Sequence, residues 1–385
     1  MVSVYVMAQH IRVDQLKLGS RLAADVYETT TDGHSLLLYA RDQVISSDWQ
    51  LNRLRETGMA AVAVTPDSVR EGLVAECAPE LRRRTLELRL AVDEARPREA
   101  AAEQDLLEVF RSVQASGKPD LAPLESQGEE LARMGREDPE LLDVLALLRE
   151  ALPAVFRHSR NVASLALRVS LFRRPDSGDE ELRRVALGAL LHDVGLMHCL
   201  STDQLTQHEL DETADQYRDH PDFGVEILSG LPGVPGEVRR AVGEHHERIN
   251  GNGFPQGLNG TDVHPLAELV AICDTYDRLT HGISYRRALS PVAALNLMQG
   301  WAGREFHPEL VMDFTRALGP WPLGSPVELE NGLRGRVSSR RNPHAPVVAC
   351  KSPQGLQLVD CAASGLAIRR GLAPSLSELH PTEIF

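Results

Sequence analysis

Residues 180–195 read EELRRVALGALLHDVG. The first twelve suggest an apolar helix, and the last four put His192 and Asp193 at its end, with Gly195 two residues on. An adjacent His-Asp pair brings one imidazole nitrogen and one carboxylate to the same helix end, and a carboxylate has two oxygens with which to bridge two cations. Alone, such a dipeptide is far more often a helix-end charge pair. What surrounds it is helical too. PELLDVLALLREAL (139–152) alternates at helical spacing, and Val155, Val162, Leu165 and Val169 form one stripe. PDFGVEILSGL, EVRRAVGEHH and PLAELVAICDTYDRLT suggest three further helices. Residues 136–320 therefore read as an all-α bundle.

The flanks differ. Residues 1–66 carry short β-like runs (IRVDQL, RLAADVYET, HSLLLYA, AAVAV), the Asp32-Gly33 turn and one short helix from Ser47 or Asp48, packed through Trp49, Leu51 and Leu54. They read as a small mixed α/β regulatory domain. Residues 67–135 are charged and rich in helix formers, and read as one or two helices broken near Pro97. Two readings stand for this connector: a solvated link, or a signalling helix that transmits a change from the first domain or pairs with its copy in a homodimer. Residues 321–385 show short β-prone runs with glycine turns, a small β-rich domain. The fold class expected is multi-domain and mainly α, a helical bundle between an α+β domain and a β-rich one.

Composition narrows the functions. With 41 Lys plus Arg against 55 Asp plus Glu, the net charge is −14, which lacks the positive field that draws a protein to nucleic acid polymers or anionic membranes. No apolar run approaches the ~18 residues of a membrane span. The five scattered cysteines form no CxxC pair and argue for reduced thiols, hence a cytoplasmic protein.

Ten of the fourteen histidines lie between His158 and His307, as a metal site would need. Taken singly, each candidate has a plainer explanation. His158 shares the stripe of Val155 and Val162 and suits a core histidine. His220, before Pro221, suits a helix cap. His245 and His246 diverge by about 100° on a helix, so one of them is expected in solvent. Asp274, after the run LVAIC, would be a buried carboxylate that needs a partner or a cation. Jointly, His158, His192, Asp193, His220, His245, His246 and Asp274 come from successive helical segments. Five imidazoles and two carboxylates suit two borderline transition ions, iron or manganese. Two such ions about 3.5–4 Å apart clamp a phosphodiester and hold a bridging hydroxide.

The order and spacing of HS (158–159), LLHDVG (190–195), HP (220–221), HHERINGNGFP (245–255), DTYDRLT (274–280) and SYRRALSP (284–291) resemble the HD-GYP family of HD-domain phosphohydrolases over roughly residues 105–320. The first sixty-odd residues resemble a small domain often found ahead of such modules in bacteria. The resemblance implies hydrolysis of cyclic di-GMP to pGpG or GMP in second-messenger signalling, with cyclic GMP-AMP as an alternative substrate. It implies a di-iron or di-manganese centre held by the seven residues above, with His192, Asp193 and Asp274 the catalytic set. It implies substrate contacts at Arg286, Phe254, Asn250 and Gly253, the glycine letting backbone approach ligand.

The sequence departs from the family at five places. HDVGL replaces HDIGK, so Leu196 stands for a phosphate-contacting lysine. GFP replaces GYP, so Phe254 lacks a hydroxyl. Asn250 stands for an aspartate, Ile283 for an arginine, and Ala154 for a glutamate tied to a third metal. Losing two phosphate contacts at ~1.5–3 kcal/mol each costs ~10²–10⁴ in kcat/KM. The ligand set is intact, so a slowed or re-specified enzyme is expected, with His198 and Arg287 as candidate compensating groups. The alternative is a catalytically impaired cyclic di-GMP sensor, or a scaffold for a signalling protein partner. A second motif pair, RVSSR (336–340) and DCAASG (360–365), resembles that of PilZ cyclic di-GMP receptors, but Ala362 occupies the serine position and a structural tail explains the region better.

Overall fold

The computed structural model of this 385-residue chain describes residues 79–116, 119–148, 154–199, 215–281, 288–340, 344–352 and 355–374, with 9–13, 26–29, 35–39, 61–64 and a few single residues elsewhere. Near the start are β1 (Gln9–Arg12), β2 (Val26–Thr29), β3 (Ser35–Tyr39) and β4 (Ala61–Val64). They form two antiparallel pairs, β1 with β4 and β2 with β3. Of the short helix expected from Ser47 or Asp48, Asn52, Leu54 and Arg55 are helical and Leu54 is buried; Trp49 and Leu51 lie outside the described residues.

Among the described residues twelve α-helices follow: α1 (Pro79–Ser116), α2 (Ala122–Glu137), α3 (Pro139–Leu148), α4 (Ala154–Arg173), α5 (Asp179–Leu191), α6 (Leu196–Cys199), α7 (Asp215–Arg218), α8 (His220–Ser229), α9 (Gly236–Glu244), α10 (Pro265–His281), α11 (Pro291–Gln299) and α12 (Pro308–Leu318). The chain then forms β5 (Pro326–Leu329), β6 (Arg334–Ser339), β7 (Val347–Ser352), β8 (Gly355–Asp360), the short helix α13 (Cys361–Ser364) and β9 (Ile368–Gly371). These strands make one sheet in the order β8-β7-β6-β5-β9. The fold is mostly helical with a small antiparallel sheet toward the C-terminus. Among the described residues no helix is long and apolar enough to cross a membrane.

The chain divides into two compact units, residues 1–82 with 352–358, and residues 83–351 with 359–385. The division falls inside α1, and this differs from the expected organisation. From Arg83 onward the connector belongs to the bundle. Leu88, Val92, Ala95, Ala102, Leu106, Val109 and Val113 recur every three, four or seven residues and are all buried, so α1 lays one apolar stripe on the core. Arg160 of α4 reaches back to it, pairing with Glu99 at 2.6 Å and donating to Gln127 of α2 at 2.8 Å. The expected break at Pro97 is absent, since α1 runs through it. Proline removes the bond to the carbonyl of residue 93, and both Pro97 and Asp93 are exposed, where water can satisfy that carbonyl.

Helix α5 lies at the middle of the bundle and packs against α2, α4 and α9. Asp179, Glu180 and Glu181 in its first turn complement the helix dipole, and Leu182 and Val185 through Leu191 are buried. That burial explains why EELRRVALGALL lacks a clear polar face. The C-terminal sheet was expected as a separate domain, but most of it falls in the same unit as the bundle. Its core is Val327, Leu329, Val337, Val348 and Cys350. Arg340, just past β6, pairs with Asp143 of α3 and donates to the carbonyl of Leu318, while its own N–H donates to Glu140 at 2.7 Å. Arg336 donates to the carbonyls of Gly324 and Leu379. The two arginines of RVSSR are therefore engaged internally, in keeping with a structural tail.

Replacing Pro97 by alanine restores a hydrogen bond in a helix that is already continuous. Pro97→Ala is expected to raise unfolding stability by about 1–3 kcal/mol. Urea unfolding followed by circular dichroism checks it; an unchanged or lower midpoint contradicts the helical placement of this segment.

Candidate metal centre

All seven histidines and aspartates singled out from the sequence converge. Asp193, His220, His245 and His246 form one group and His158, His192 and Asp274 another, with the potential ligand atoms of each group within 4.8 Å of one another. Asp193 serves both. Its Oδ1 lies 3.3 Å from His220 Nε2 and 3.7 Å from His245 Nε2. Its Oδ2 lies 3.3 Å from His192 Nε2 and 3.8 Å from His158 Nε2. Asp274 Oδ1 lies 2.9 Å from His158 Nε2. Except for His158, at 12% side-chain exposure, the seven are buried.

Helix ends aim the rings. The last carbonyls of a helix lack an intrahelical donor. His192 Nδ1–H donates to the carbonyl of Ala189 at 2.8 Å, His245 to Val242 at 2.8 Å, and His220 to Tyr217 at 2.5 Å. Each bond spans three residues, and each carbonyl lies in the last turn of α5, α9 or α7. A carbonyl can only accept, so Nδ1 carries the proton and Nε2 presents a lone pair to the centre. His158 is held otherwise: its Nδ1–H donates to Asp277 at 2.7 Å. The pair His245-His246 overturns the expectation that one ring faces solvent. Helix α9 ends at Glu244, so the two residues sit in a turn rather than 100° apart on a helix, and both are buried.

The charges fit a cation. Burial alone would raise the carboxyl of Asp193, but His192, His220 and His245 outweigh it and hold it well below the usual range. Burial likewise opposes ionisation of Asp274, and Arg278 and His158 overcome it. Burial pushes His245 down to about 4 and His246 well below its ordinary value, so both stay neutral near pH 7. Burial and Arg278 would lower His158 too, yet its bonds to Asp274 and Asp277 raise it to about 9. The acceptor atoms His220 Nε2 and His245 Nε2 stand 3.1 Å apart beside Asp193 Oδ1, which has no hydrogen-bond donor. Lone pairs converging in a dry pocket are costly unless a cation lies among them. Imidazole and carboxylate suit divalent transition metals.

The surrounding backbone is pressed close. A Cβ on Gly195 would sit 1.9 Å from the carbonyl oxygen of His220, so only glycine lets the 192–195 turn meet the start of α8. Gly253 was expected to admit ligand. A Cβ there would sit 2.4 Å from the Glu247 Cα and the Arg248 N, so only glycine fits against that backbone. Phe254 stacks on His246 at 4.5 Å between ring centres, and the Arg218 guanidinium lies 4.5 Å from the same ring. Asn250 is exposed and accepts from Asn252 N–H at 3.0 Å, fastening its own turn. Leu196, at the lysine position, is fully buried and offers a ligand nothing. His198 is exposed and stacks on Phe223. Ile283, Arg286 and Arg287 lie outside the described residues.

Four residues were present in the quoted motifs but given no role. Asp277 holds His158 and also accepts from Asn161 at 3.0 Å. Arg278 contacts Asp274 and Asp193. Arg248 donates to the carbonyls of His245 and Glu247, behind the histidine turn. Glu247, 1% exposed, accepts from the N–H groups of Gln256, Gly257 and Leu258 at 2.6, 3.0 and 2.9 Å. An acid beside HHE and a second acid three residues after Asp274 were the available signals; their partners lie too far along the chain to be paired by spacing.

Residues 144–310 match the family described as HD domain, and this part of the chain is an HD domain. The chain is 29% identical over 275 residues to "Cyclic di-GMP phosphodiesterase PA4108" of Pseudomonas aeruginosa, covering 69% of this chain and 65% of that protein. It is 33% identical over 139 residues to "Cyclic di-GMP phosphodiesterase response regulator RpfG" of Xanthomonas campestris, covering 34% and 36%. It is 26% identical over 166 residues to "3'3'-cGAMP-specific phosphodiesterase 1" of Vibrio cholerae, covering 42% and 38%. The chain thus spans less than two thirds of the length of these curated relatives. The HD domain expected from HDVG, HHE and the Asp274 segment is the one whose model matches.

Glu247 gathers three backbone donors, and an amide cannot replace it without setting N–H against N–H. Glu247→Gln is expected to lower unfolding stability by about 1–3 kcal/mol. Urea unfolding monitored by tryptophan fluorescence measures this; a shift within error removes Glu247 as the loop's anchor.

Proposed function

We propose that the chain is a metal-dependent phosphodiesterase acting on a cyclic dinucleotide, with cyclic di-GMP cleaved to pGpG or GMP. The observation that carries the reading is Asp193, a buried carboxylate with one oxygen toward His220 and His245 and the other toward His192 and His158. The relatives named as cyclic di-GMP phosphodiesterases support the substrate class. Asp193, His220, His245 and His246 would hold one ion, and His158, His192 and Asp274 a second, with iron or manganese matching the donor set. Such a pair supplies Lewis-acid charge for the phosphoryl oxygens and lowers the pKa of water.

The protein's part is orientation and exclusion. Three helix-end carbonyls fix the tautomers of His192, His220 and His245, and Asp277 fixes His158. Phe254 closes one side of the centre against His246 and keeps bulk water from that ring. Arg218, exposed beside Phe254, offers a cation at the rim for a substrate phosphate. In this reading Phe254 shapes the cleft rather than pairing with a guanine, because one of its faces is already taken by His246. Asn250 and Gly253 act through the loop.

A second reading, binding without turnover, is favoured by Leu196, whose buried side chain supplies no charge to a phosphate. Turnover separates the two. The full chain loaded anaerobically with iron or manganese is expected to produce pGpG or GMP from cyclic di-GMP. Product no higher than in a His192→Ala, Asp193→Ala control, with binding retained in calorimetry, would leave a sensor.

Asp277 is expected to act through His158. Asp277→Asn should weaken metal binding by about 10–100-fold, read by competition with a chelator. Unchanged affinity would mean that His158 needs no such support.

A further inference from the structure

The two ligand groups are not equivalent. Arg278, one turn after Asp274 on α10, places Nε 2.5 Å from Asp274 Oδ1 and Nη2 3.3 Å from Asp193 Oδ2. Those two oxygens are the ones that face His158 and His192. Asp193 Oδ1, which faces His220 and His245, has no hydrogen-bond donor. A guanidinium keeps its charge at any working pH. One half of the centre therefore has its negative charge already met by the protein, and the other does not.

From this we propose that Arg278 is a resident cation that makes the centre load unequally. The inference rests on the reading of the seven residues as metal ligands. The first ion goes to Asp193, His220, His245 and His246. A second, at His158, His192 and Asp274, must displace the guanidinium from both carboxylates, because two cations on the same oxygens repel. The side chain has somewhere to turn: the Tyr217 ring lies 5.7 Å from its guanidinium carbon, and an aromatic face accepts such a cation. Arg278 is thus a positioning residue, and its displacement sets whether the centre carries one ion or two.

The test is a Mn²⁺ titration of the full chain, stripped of metal, by equilibrium dialysis with elemental analysis, alongside electron paramagnetic resonance. Wild type is expected to bind one equivalent at least about tenfold more tightly than the second, with isolated-ion spectra at low loading. Arg278→Gln and Arg278→Met should each tighten the second equivalent about 10- to 100-fold, leave the first within a few-fold, and bring the exchange-coupled spectrum of an ion pair to lower Mn²⁺. Circular dichroism of both variants controls for folding. Two equal equivalents in wild type, or a second site unchanged or weakened in the variants, overturns the inference while leaving the metal centre standing. No Mn²⁺ bound by wild type or either variant overturns the metal reading, and this inference with it.

Discussion

Two oxygens of one buried carboxylate point in different directions, and the organisation of the bundle follows from keeping them there. Asp193 follows a helix with no exposed stripe in its last turns, so it is carried into the interior by the apolar residues before it. An isolated carboxylate in that position would cost several kcal/mol. The protein meets the cost from five helices: rings from α4, α8 and the turn after α9, an acid from α10, and His192 beside it. Removing any one of these helices would leave a charge without its partner.

The rings are oriented chiefly by main chain. Three of the five histidines of the centre have their tautomers set by carbonyls which every helix leaves over at its end. Such an arrangement needs only that a histidine fall just past the last turn. That is why histidines of the cluster fall at helix termini here, and why seven side chains can be brought together from short motifs far apart in sequence. His158 is the exception, since it lies within a helix whose own carbonyls are spoken for, and a side chain, Asp277, has to do the same work.

This division explains what could be read from the sequence. HDVG, HP and HHE are local: residue type and helix end lie within a few positions, so the converging side chains and the helical bundle were legible. Pairings across long separations were not. Nothing in the spacing of Glu99 and Arg160, or Asp143 and Arg340, says that α1 and the C-terminal sheet join the bundle. Pro97 misled because a proline's effect depends on whether its orphaned carbonyl meets water, and exposure is a tertiary property. The two adjacent histidines misled because the helix ends two residues earlier than the pattern EVRRAVGEHH implies. Leu196 was legible as a missing lysine but not as a core residue. Arg278 was visible as a letter in DTYDRLT, and only the fold turns it toward Asp193.

Glu247 grips three amides at positions 256–258. The loop is clasped at its far end by main chain, so its tip is an interchangeable cassette. A ring hydroxyl at 254 or an acid at 250 can be gained or lost without touching the three bonds that fasten it.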